Sequence, residues 1–206
     1  MTVDVRELKV PGSWELTPKQ FGDDRGVFLE WFKESTFVEA VGHPLHLAQA
    51  NCSVSAAGVL RGVHFADVPP GQAKYVTCVR GAVLDVVVDI RVGSPTFGSW
   101  DSVLLDDLDR RAIYLSEGLG HAFLSLDDDS TVVYLCSSGY QPGREHGINP
   151  LDPEIGIQWP ITSRSGFALE LILSEKDASA PSLSDATNQG LLPRYDGVRE
   201  WMNGLT

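Results

Sequence analysis

The sequence predicts an all-β domain, either a sandwich or a barrel. Short runs rich in β-branched and aromatic residues recur along the chain, and turn signals containing Gly or Pro separate them. Strands of this length at a spacing of roughly ten residues are typical of both architectures. The predicted strands are 27–32, 45–55, 58–65, 74–79, 82–90, 102–105, 111–115, 121–126 and 131–138.

The segment AVLDVVVDI, residues 82–90, shows the strand pattern most clearly. Alternate residues from Ala82 to Ile90 are apolar and lie on one face, whereas Asp85 and Asp89 lie on the other. Burying an unpaired carboxylate is costly. We therefore expect the two acids to face solvent, or a polar pocket that contains cations.

Helical segments are few. Short helices are predicted at 33–41, 174–179 and 197–204. A chain of 206 residues is long enough for one domain with a real core. We expect that domain to span 1–183, and we expect 184–206 to be an irregular peripheral arm and not a second domain.

Composition limits the classes of function. No run of about eighteen apolar residues exists, and MTVDVRELKV lacks the apolar segment of a signal peptide, so no membrane partner is expected. The net charge of −12 argues against nucleic acid as a partner. Cys52, Cys78 and Cys136 form no CxxC pair, which favours a reduced cytoplasmic protein with small buried thiols.

Three cations interrupt the strand-like stretch VLRGVHFADVPPGQAKYV, residues 59–76: Arg61, His64 and Lys74. In an acidic protein, clustered cations indicate a site for a small anion. On a regular strand Arg61 and His64 would lie on opposite faces. Both enter one pocket only if the strand bulges or bends, which Gly62 would permit.

This stretch closely resembles the signature of the dTDP-4-keto-6-deoxyhexose 3,5-epimerases. Other blocks resemble that family in the same order, over roughly residues 3–183. They are FGDDRGVFLEWF (21–32), QANCSVS (49–55), VDIRVGSPTFGSW (88–100), YLSEGLGHAFLSL (114–126), IGIQWP (155–160) and SEKDASAP (174–181).

The resemblance implies a cupin-type antiparallel jelly roll with short peripheral helices. It also implies a homodimer that acts on a dTDP-4-keto-6-deoxy sugar without metal or organic cofactor. In the roles it implies, His64 is the general base, Tyr134 the proton donor and Lys74 the group near the enolate oxygen. Asp177 orients His64, and Asp85 is the rival for that role. The implied substrate-binding residues are Arg25, Glu30, Gln49, Asn51, Arg61, His121, Glu145 and Lys176.

The residue chemistry supports these roles independently. A C–H bond beside a ketone is acidic only if the oxyanion is stabilised, and a preorganised Lys74 ammonium can do that. A neutral imidazole suits the removal of a proton near neutral pH. Inversion also needs a protonated group on the other face, which the phenol of Tyr134 provides. Arg25 and Arg61 suit a diphosphate.

The chain also departs from the family pattern. Leu135 stands where rhamnose-pathway enzymes often have Lys, and Gly139-Tyr140 replaces a pair of aromatic residues. With the long tail, these departures favour an antibiotic deoxyaminosugar 5-epimerase. The alternative is a dTDP-4-dehydrorhamnose 3,5-epimerase of dTDP-rhamnose biosynthesis.

Two interpretations come from other classes. A metal-dependent cupin needs clustered ligands such as HxH followed by a carboxylate, and the sequence contains no HxH. A non-catalytic sugar-nucleotide binding module would not need His64, Lys74 and Tyr134 together.

Overall fold

The computed structural model describes residues 3–204, which form two antiparallel sheets and a separate hairpin. The strands are β1 (Asp4–Glu7), β2 (Ser13–Thr17), β3 (Gln20–Asp23), β4 (Gly26–Leu29), β5 (Gln49–Ser55), β6 (Leu60–Ala66), β7 (Lys74–Arg80), β8 (Ala82–Val88), β9 (Trp100–Asp106), β10 (Ala112–Leu115), β11 (Gly120–Ser125), β12 (Ser130–Cys136) and β13 (Glu145–Gly147). The helices are α1 (Glu34–Val41), α2 (Glu175–Ala178), α3 (Leu183–Asn188) and α4 (Tyr195–Asn203).

The two large sheets face each other. One has six strands in the order β1-β2-β10-β7-β12-β5, and the other has five in the order β13-β6-β11-β8-β9. Strands β3 and β4 pair with each other. Neighbours in sequence such as β5 and β6 lie in different sheets, so the chain crosses between sheets repeatedly. This is the expected cupin-type jelly roll with short peripheral helices.

The main core lies between the sheets. Val83 and Val87 of β8 pack there with Val76 of β7 and Val132 of β12, all with almost no exposure. Fully burying a side chain of this size contributes about 1.5–3 kcal/mol. The tight apolar packing of this part of the interior fixes the distance between the sheets.

Both outer faces are covered as well. Helix α1 packs Phe37 against Tyr75 and Tyr114 on the six-stranded sheet. The C-terminal segment covers the five-stranded sheet, where Leu183 and Ala186 of α3 are buried. The central strands of each large sheet are therefore covered on both faces.

The faces of β8 follow the predicted alternation, and of the two surroundings expected for Asp85 and Asp89, solvent or a polar pocket with cations, the second is the one observed. Asp85 and Asp89 have 0% exposure, so neither faces solvent. Asp85 points inward and contacts His121. Asp89 binds Arg91, which the sequence analysis had not assigned as its partner.

Several elements were not predicted. Strands β1, β2, β3 and β13 and helix α3 are additions, so the tail expected to be irregular contains α3 as well as α4, which matches the helix predicted at 197–204. Helix α3 has a clear local cause, because the Ser182 hydroxyl accepts a hydrogen bond from the Asp185 backbone N–H at its start. The prediction of buried thiols is wrong for Cys52, which is exposed, and is confirmed for Cys78 and Cys136, which are buried.

Residues 3–204 contain neither a membrane-spanning helix nor a cluster of metal ligands. None of the helices there combines the length and apolar character required to cross a bilayer. The same residues contain no group of three or more His, Cys, Asp or Glu side chains arranged to hold a metal ion.

Candidate active site

A bulge in β6 shapes the site. His64 pairs with His121 of β11, but Arg61 pairs with Phe123, so three steps on β6 match two steps on β11. Directly opposed residues share a face of an antiparallel sheet. Arg61 and His64 therefore lie on the same face, and Gly62, at φ 112°, is the residue between them that adopts the unusual backbone conformation.

His64 is held by a carboxylate from outside the sheets. Its Nε2 donates a hydrogen bond to Asp177 Oδ1 over 2.7 Å, and Asp177 belongs to α2. The Ser174 hydroxyl accepts from the Asp177 backbone N–H and so begins that helix. Because Nε2 carries the donated proton, the other ring nitrogen has the lone pair of a base.

The pKa of Asp177 reflects this environment. Burial acts to raise the pKa of the carboxyl group, but hydrogen bonding and attraction from His64 outweigh it and lower the pKa below its usual value. Ser174 and the Gly62 backbone act in the same direction as His64. Asp177 is therefore ionised near neutral pH and can hold the imidazole in one orientation.

The opposite wall of the interior comes from the six-stranded sheet. Tyr134 of β12 pairs with Val76 and with Asn51, and Lys74 pairs with Cys136. Tyr134 packs against the core between the sheets. Leu135 instead packs with the outer-face cluster.

Lys74 is a buried cation inside this wall, with 9% exposure. Burial lowers the pKa of its ammonium group, while electrostatic interactions with Cys136, Glu145 and Asp85 act to raise it. It forms no salt bridge within 4.0 Å among residues 3–204. An unpaired buried cation strongly stabilises a negative charge that develops beside it.

Tyr134 responds to the same surroundings. Burial raises the pKa of its phenol, the charge of Cys136 raises it further, and Arg61 acts in the opposite direction. Arg61 belongs to β6 and Tyr134 to β12, so the charge of Arg61 acts on the phenol from the facing sheet. The phenol therefore keeps its proton near neutral pH.

His121 has a partner of its own. Its Nε2 lies 2.9 Å from both carboxylate oxygens of Asp85. Asp85 therefore holds His121, and Asp177 is the carboxylate in contact with His64. Glu145 of β13 pairs with Ala66, on the same face as His64, and its charge acts on Lys74 and Tyr134.

Asn51 lies beside the site, because it pairs with Tyr134 and its side-chain amide donates to Cys136 Sγ over 3.7 Å. The remaining predicted substrate-binding residues make their contacts farther out. Gln49 donates a hydrogen bond to Asn51 Oδ1 at the edge of the six-stranded sheet. Arg25 is exposed and forms an ion pair with Asp23 within the β3–β4 hairpin. Glu30 forms an ion pair with Lys33. Lys176 is exposed on α2. Among the contacts described in this structure, those of Arg25, Glu30 and Lys176 do not include His64, Lys74 or Tyr134.

The structure adds residues that sequence reasoning had not selected. Cys136 lies beside Lys74, and burial raises the pKa of its thiol. The two-residue period of a strand places Cys136 on the same face as Tyr134, so that signal was present. Ser174 and the Gly62 backbone, which stabilise the Asp177 carboxylate, had no comparable signal.

This arrangement suits proton transfer at carbon. The imidazole of His64, held by a carboxylate, lies on the five-stranded sheet. The phenol of Tyr134 and the ammonium group of Lys74 lie on the facing six-stranded sheet. The three groups match the needs of proton removal beside a carbonyl, stabilisation of the oxyanion, and return of a proton from the other side.

Comparison with known proteins gives a consistent result. The family model described as dTDP-4-dehydrorhamnose 3,5-epimerase matches residues 7–185. A protein of Mycolicibacterium smegmatis named dTDP-4-dehydrorhamnose 3,5-epimerase is 65% identical over 200 residues, which is 97% of this chain and 96% of that protein.

Solved structures agree at the level of the whole fold. The rmlC epimerase of Mycobacterium tuberculosis superposes with a TM-score of 0.93 at 56% identity, covering 98% of this chain and 100% of the other. ChmJ, a 3'-monoepimerase from Streptomyces bikiniensis solved with dTDP-quinovose, superposes with a TM-score of 0.91 at 51% identity, covering 96% and 97% of the two chains.

Proposed function

This chain belongs to the dTDP-4-dehydrorhamnose 3,5-epimerase family and is an epimerase, an enzyme of the isomerase class; from that premise we propose that it inverts C5, together with C3, of a dTDP-4-keto-6-deoxyhexose. The observation that carries the proposal is the placement of the His64–Asp177 pair and Tyr134 on facing sheets. Both sugar carbons lie beside the C4 ketone, so one kind of chemistry serves both.

In the proposed reaction, His64 removes the proton from the carbon beside the ketone. The electrons of that C–H bond form a carbon–carbon double bond, and the carbonyl π electrons move to O4 to give an enolate. Lys74 stabilises the negative charge at O4. The burial that lowers the pKa of Lys74 also makes its attraction to the oxyanion strong, because little water screens it.

Tyr134 then completes the inversion. Its phenol gives a proton to the opposite face of the carbon, the double-bond electrons form the new C–H bond, and an electron pair of O4 re-forms the carbonyl. The phenolate regains a proton from solvent, and His64 releases its own. The chain's residues thus supply both proton transfers, and Asp177 keeps the imidazole aligned while it carries positive charge.

We assign the nucleotide diphosphate to Arg61. Its Nε donates to Ser55 Oγ over 3.2 Å, which leaves the terminal nitrogens of the guanidinium group for an anion. An arginine fork binds two phosphate oxygens at once. This local cation is needed because the chain as a whole carries a net charge of −12.

We place the reaction in antibiotic deoxysugar biosynthesis, in the cytoplasm. The similarity to ChmJ, a Streptomyces 3'-monoepimerase that is 51% identical, supports this placement. The relative of Mycolicibacterium smegmatis carries the name of the rhamnose-pathway enzyme, so the alternative pathway is part of the test. The C5-only activity favoured by the sequence departures has no counterpart among these relatives, whose names specify 3 or 3,5.

We also propose that the working form is a homodimer. Strands β3 and β4 pair with each other and with neither large sheet among the described residues, and their hairpin exposes Val27 and Phe28, the latter at 65%. An exposed apolar hairpin is suited to packing on another protein surface. In a dimer, Arg25 at its tip would be free to approach the second copy. Light scattering after chromatography should give about twice the chain mass, and Phe28→Asp should give the monomer mass.

Proton exchange in D2O tests the reaction. The chain is incubated with dTDP-4-keto-6-deoxyglucose, and in parallel with its 3-amino counterpart, while NMR follows the signals at C3 and C5. We expect deuterium at both carbons and the appearance of the inverted sugar. Absence of exchange with both compounds would exclude the proposed reaction, and exchange at one carbon only would identify a monoepimerase.

A further inference from the structure

A small cavity lies beneath α4, away from the proposed active site. Its volume is about 70 Å³, and it lies between α4, the 43–46 loop and the adjacent end of the six-stranded sheet. The residues that matter among those lining it are His43, Tyr114, Glu117, Ser137 and Trp201. Tyr114, Glu117 and His43 are nearly inaccessible, with 0%, 4% and 6% exposure.

The lining carries an unusual number of polar atoms without partners. Among residues 3–204, four such buried atoms belong to this cavity: His43 Nε2, Tyr114 OH, Glu117 Oε2 and Trp201 Nε1. Buried polar groups are nearly always hydrogen-bonded, because leaving one unpaired is costly. Four around one small space indicate a shared polar occupant.

The four atoms also differ in what they offer. Trp201 Nε1 is a donor, and Glu117 Oε2 is an acceptor in its ionised form. His43 Nδ1 lies 3.0 Å from the Pro44 carbonyl oxygen, which only accepts, so Nδ1 carries the proton and Nε2 is an acceptor in the neutral ring. Tyr114 OH both donates and accepts. An occupant must therefore both donate and accept, as water does.

The volume fits the same occupant. A water molecule needs at least about 10–15 Å³ of accessible cavity and two to four polar partners, and its share of liquid volume is about 30 Å³. A cavity of about 70 Å³ has room for about two waters. The four unpaired atoms supply the number of partners that two linked waters require.

Glu117 connects this cavity to the active-site strand. Its second oxygen, Oε1, accepts a hydrogen bond from Ser137 Oγ over 2.8 Å. Ser137 Oγ in turn accepts from the Ala73 backbone N–H over 2.8 Å, and Ser137 N–H donates to the Ala73 carbonyl over 3.0 Å. Ala73 directly precedes Lys74, the first residue of β7. The chain of contacts thus ends at the backbone that carries Lys74.

We propose that this cavity is a permanent water site that ties Trp201 of α4 to Glu117, and that Glu117 is thereby a positioning residue for Lys74. The bound water fixes one carboxylate oxygen, and the other oxygen fixes Ser137 and the start of β7. The C-terminal helix then contributes to the reaction without approaching the sugar. The role of Lys74 in this inference rests on the proposed function.

The first test is the water itself. A high-resolution crystal structure of the full chain should show ordered water within hydrogen-bond distance of Trp201 Nε1 and Glu117 Oε2. A cavity without ordered density would overturn the inference and leave the proposed function untouched. Conversely, if Lys74→Met keeps full activity while the water is present, the proposed use of Lys74 fails and the water site stands.

The second test separates positioning from general stability. Trp201→Phe removes the donor and keeps the ring plane, and Glu117→Gln keeps the acceptor for Ser137. We expect each to lower kcat about tenfold, below the ~10²-fold that a 1 Å misplacement can cost, with dTDP affinity unchanged and a fall in melting temperature no larger than that of Trp159→Phe. Trp159→Phe is the matched control, because Trp159 Nε1 donates to the Pro150 carbonyl outside the cavity. An unchanged kcat in both variants, or equal losses of kcat, affinity and melting temperature, would contradict positioning.

Discussion

His64 and Asp177 are 113 positions apart in the chain, yet they are joined by a hydrogen bond of 2.7 Å. His64 belongs to the five-stranded sheet, whereas Asp177 belongs to a single-turn helix that returns to its edge. The contact makes α2 part of the site. It also explains why a short helix after a long irregular segment has a buried carboxylate.

Asp177→Asn should lower kcat for C–H exchange by about 10²-fold, within the 10²–10⁴ that a positioned general base contributes. The amide no longer stabilises a positively charged imidazole. Asp67→Asn is the matched control, because Asp67 contacts the ring of His146 over 2.8 Å in a similar carboxylate–histidine pair. His146 lies opposite Phe65, on the face of β6 that His64 does not share. Steady-state kinetics of both variants check the result, and equal losses would remove the special role of Asp177.

His64→Ala should abolish deuterium exchange at the sugar carbons. The side chain is partly exposed and belongs to no hydrophobic cluster, so the fold and dTDP binding should persist. NMR in D2O measures the exchange, and calorimetry measures dTDP affinity. Exchange at a rate near that of the unaltered chain would assign the base to another residue.

Tyr134→Phe should separate exchange from inversion. The change removes only the hydroxyl group, and the ring still packs on the core between the sheets. His64 should continue to remove the proton and return it to the same face, so deuterium enters while little epimer forms. The same NMR experiment reports both products. Loss of both activities would show that the phenol is needed before reprotonation.

Arg61→Ala should weaken dTDP binding by about 1.5–3 kcal/mol, the usual contribution of a hydrogen bond to a charged group. That corresponds to roughly a tenfold to hundredfold rise in Kd. Calorimetry with dTDP alone measures it. Arg80→Ala is a suitable control, since Arg80 forms an exposed ion pair with Asp129. Unchanged affinity in Arg61→Ala would place the diphosphate elsewhere.

Asp89→Asn should destabilise the fold by about 3–5 kcal/mol, because it leaves the buried Arg91 without its charge partner. Asp23→Asn, in an exposed pair with Arg25, should leave stability nearly unchanged. Urea denaturation followed by fluorescence measures both. A loss in Asp89→Asn no larger than in Asp23→Asn would show that this buried pair contributes little.

The same pair predicts how stability depends on pH. Burial acts to raise the pKa of Asp89, but hydrogen bonds from Arg91, Ser94 and Thr96 outweigh it and lower the pKa below 3.8. A group with a lowered folded pKa contributes fully above its unfolded pKa and loses that contribution as pH falls through the folded value. Stability should therefore decline below about pH 4, and less steeply in Asp89→Asn than in the unaltered chain.

Strand periodicity predicted much of the fold for a physical reason. In β8 the alternation of side chains is strict, so Asp85 could be assigned to the face opposite Leu84 and Val86 before the structure was known, although the pattern did not say which of the two faces lies between the sheets. Strand β13 shows the opposite case. Its residues Glu145–Gly147 include no aliphatic side chain, and they form a strand because β6 offers an edge to pair with.

The site was predicted unevenly for a similar reason. His64 and Lys74 lie near each other in sequence, and their position in a recognisable stretch identified them. The choice between Asp85 and Asp177 as the partner of His64 depended on which long-range contact forms, and local sequence does not contain that information. The structure resolves it through the return of α2 to β6.

The bulge in β6 has a consequence for moving or redesigning this site. In a regular strand, residues three positions apart lie on opposite faces. Because three residue steps on β6 match two on β11, Arg61 and His64 lie on the same face despite that spacing. A Cβ at Gly62 would clash with the His121 carbonyl and lie 2.7 Å from Ala122 Cα. Pairing the same residues as a regular strand, without the bulge, would turn either Arg61 or His64 out of the pocket. Any transplant of this chemistry to another β-scaffold must therefore carry the irregular backbone along with the side chains.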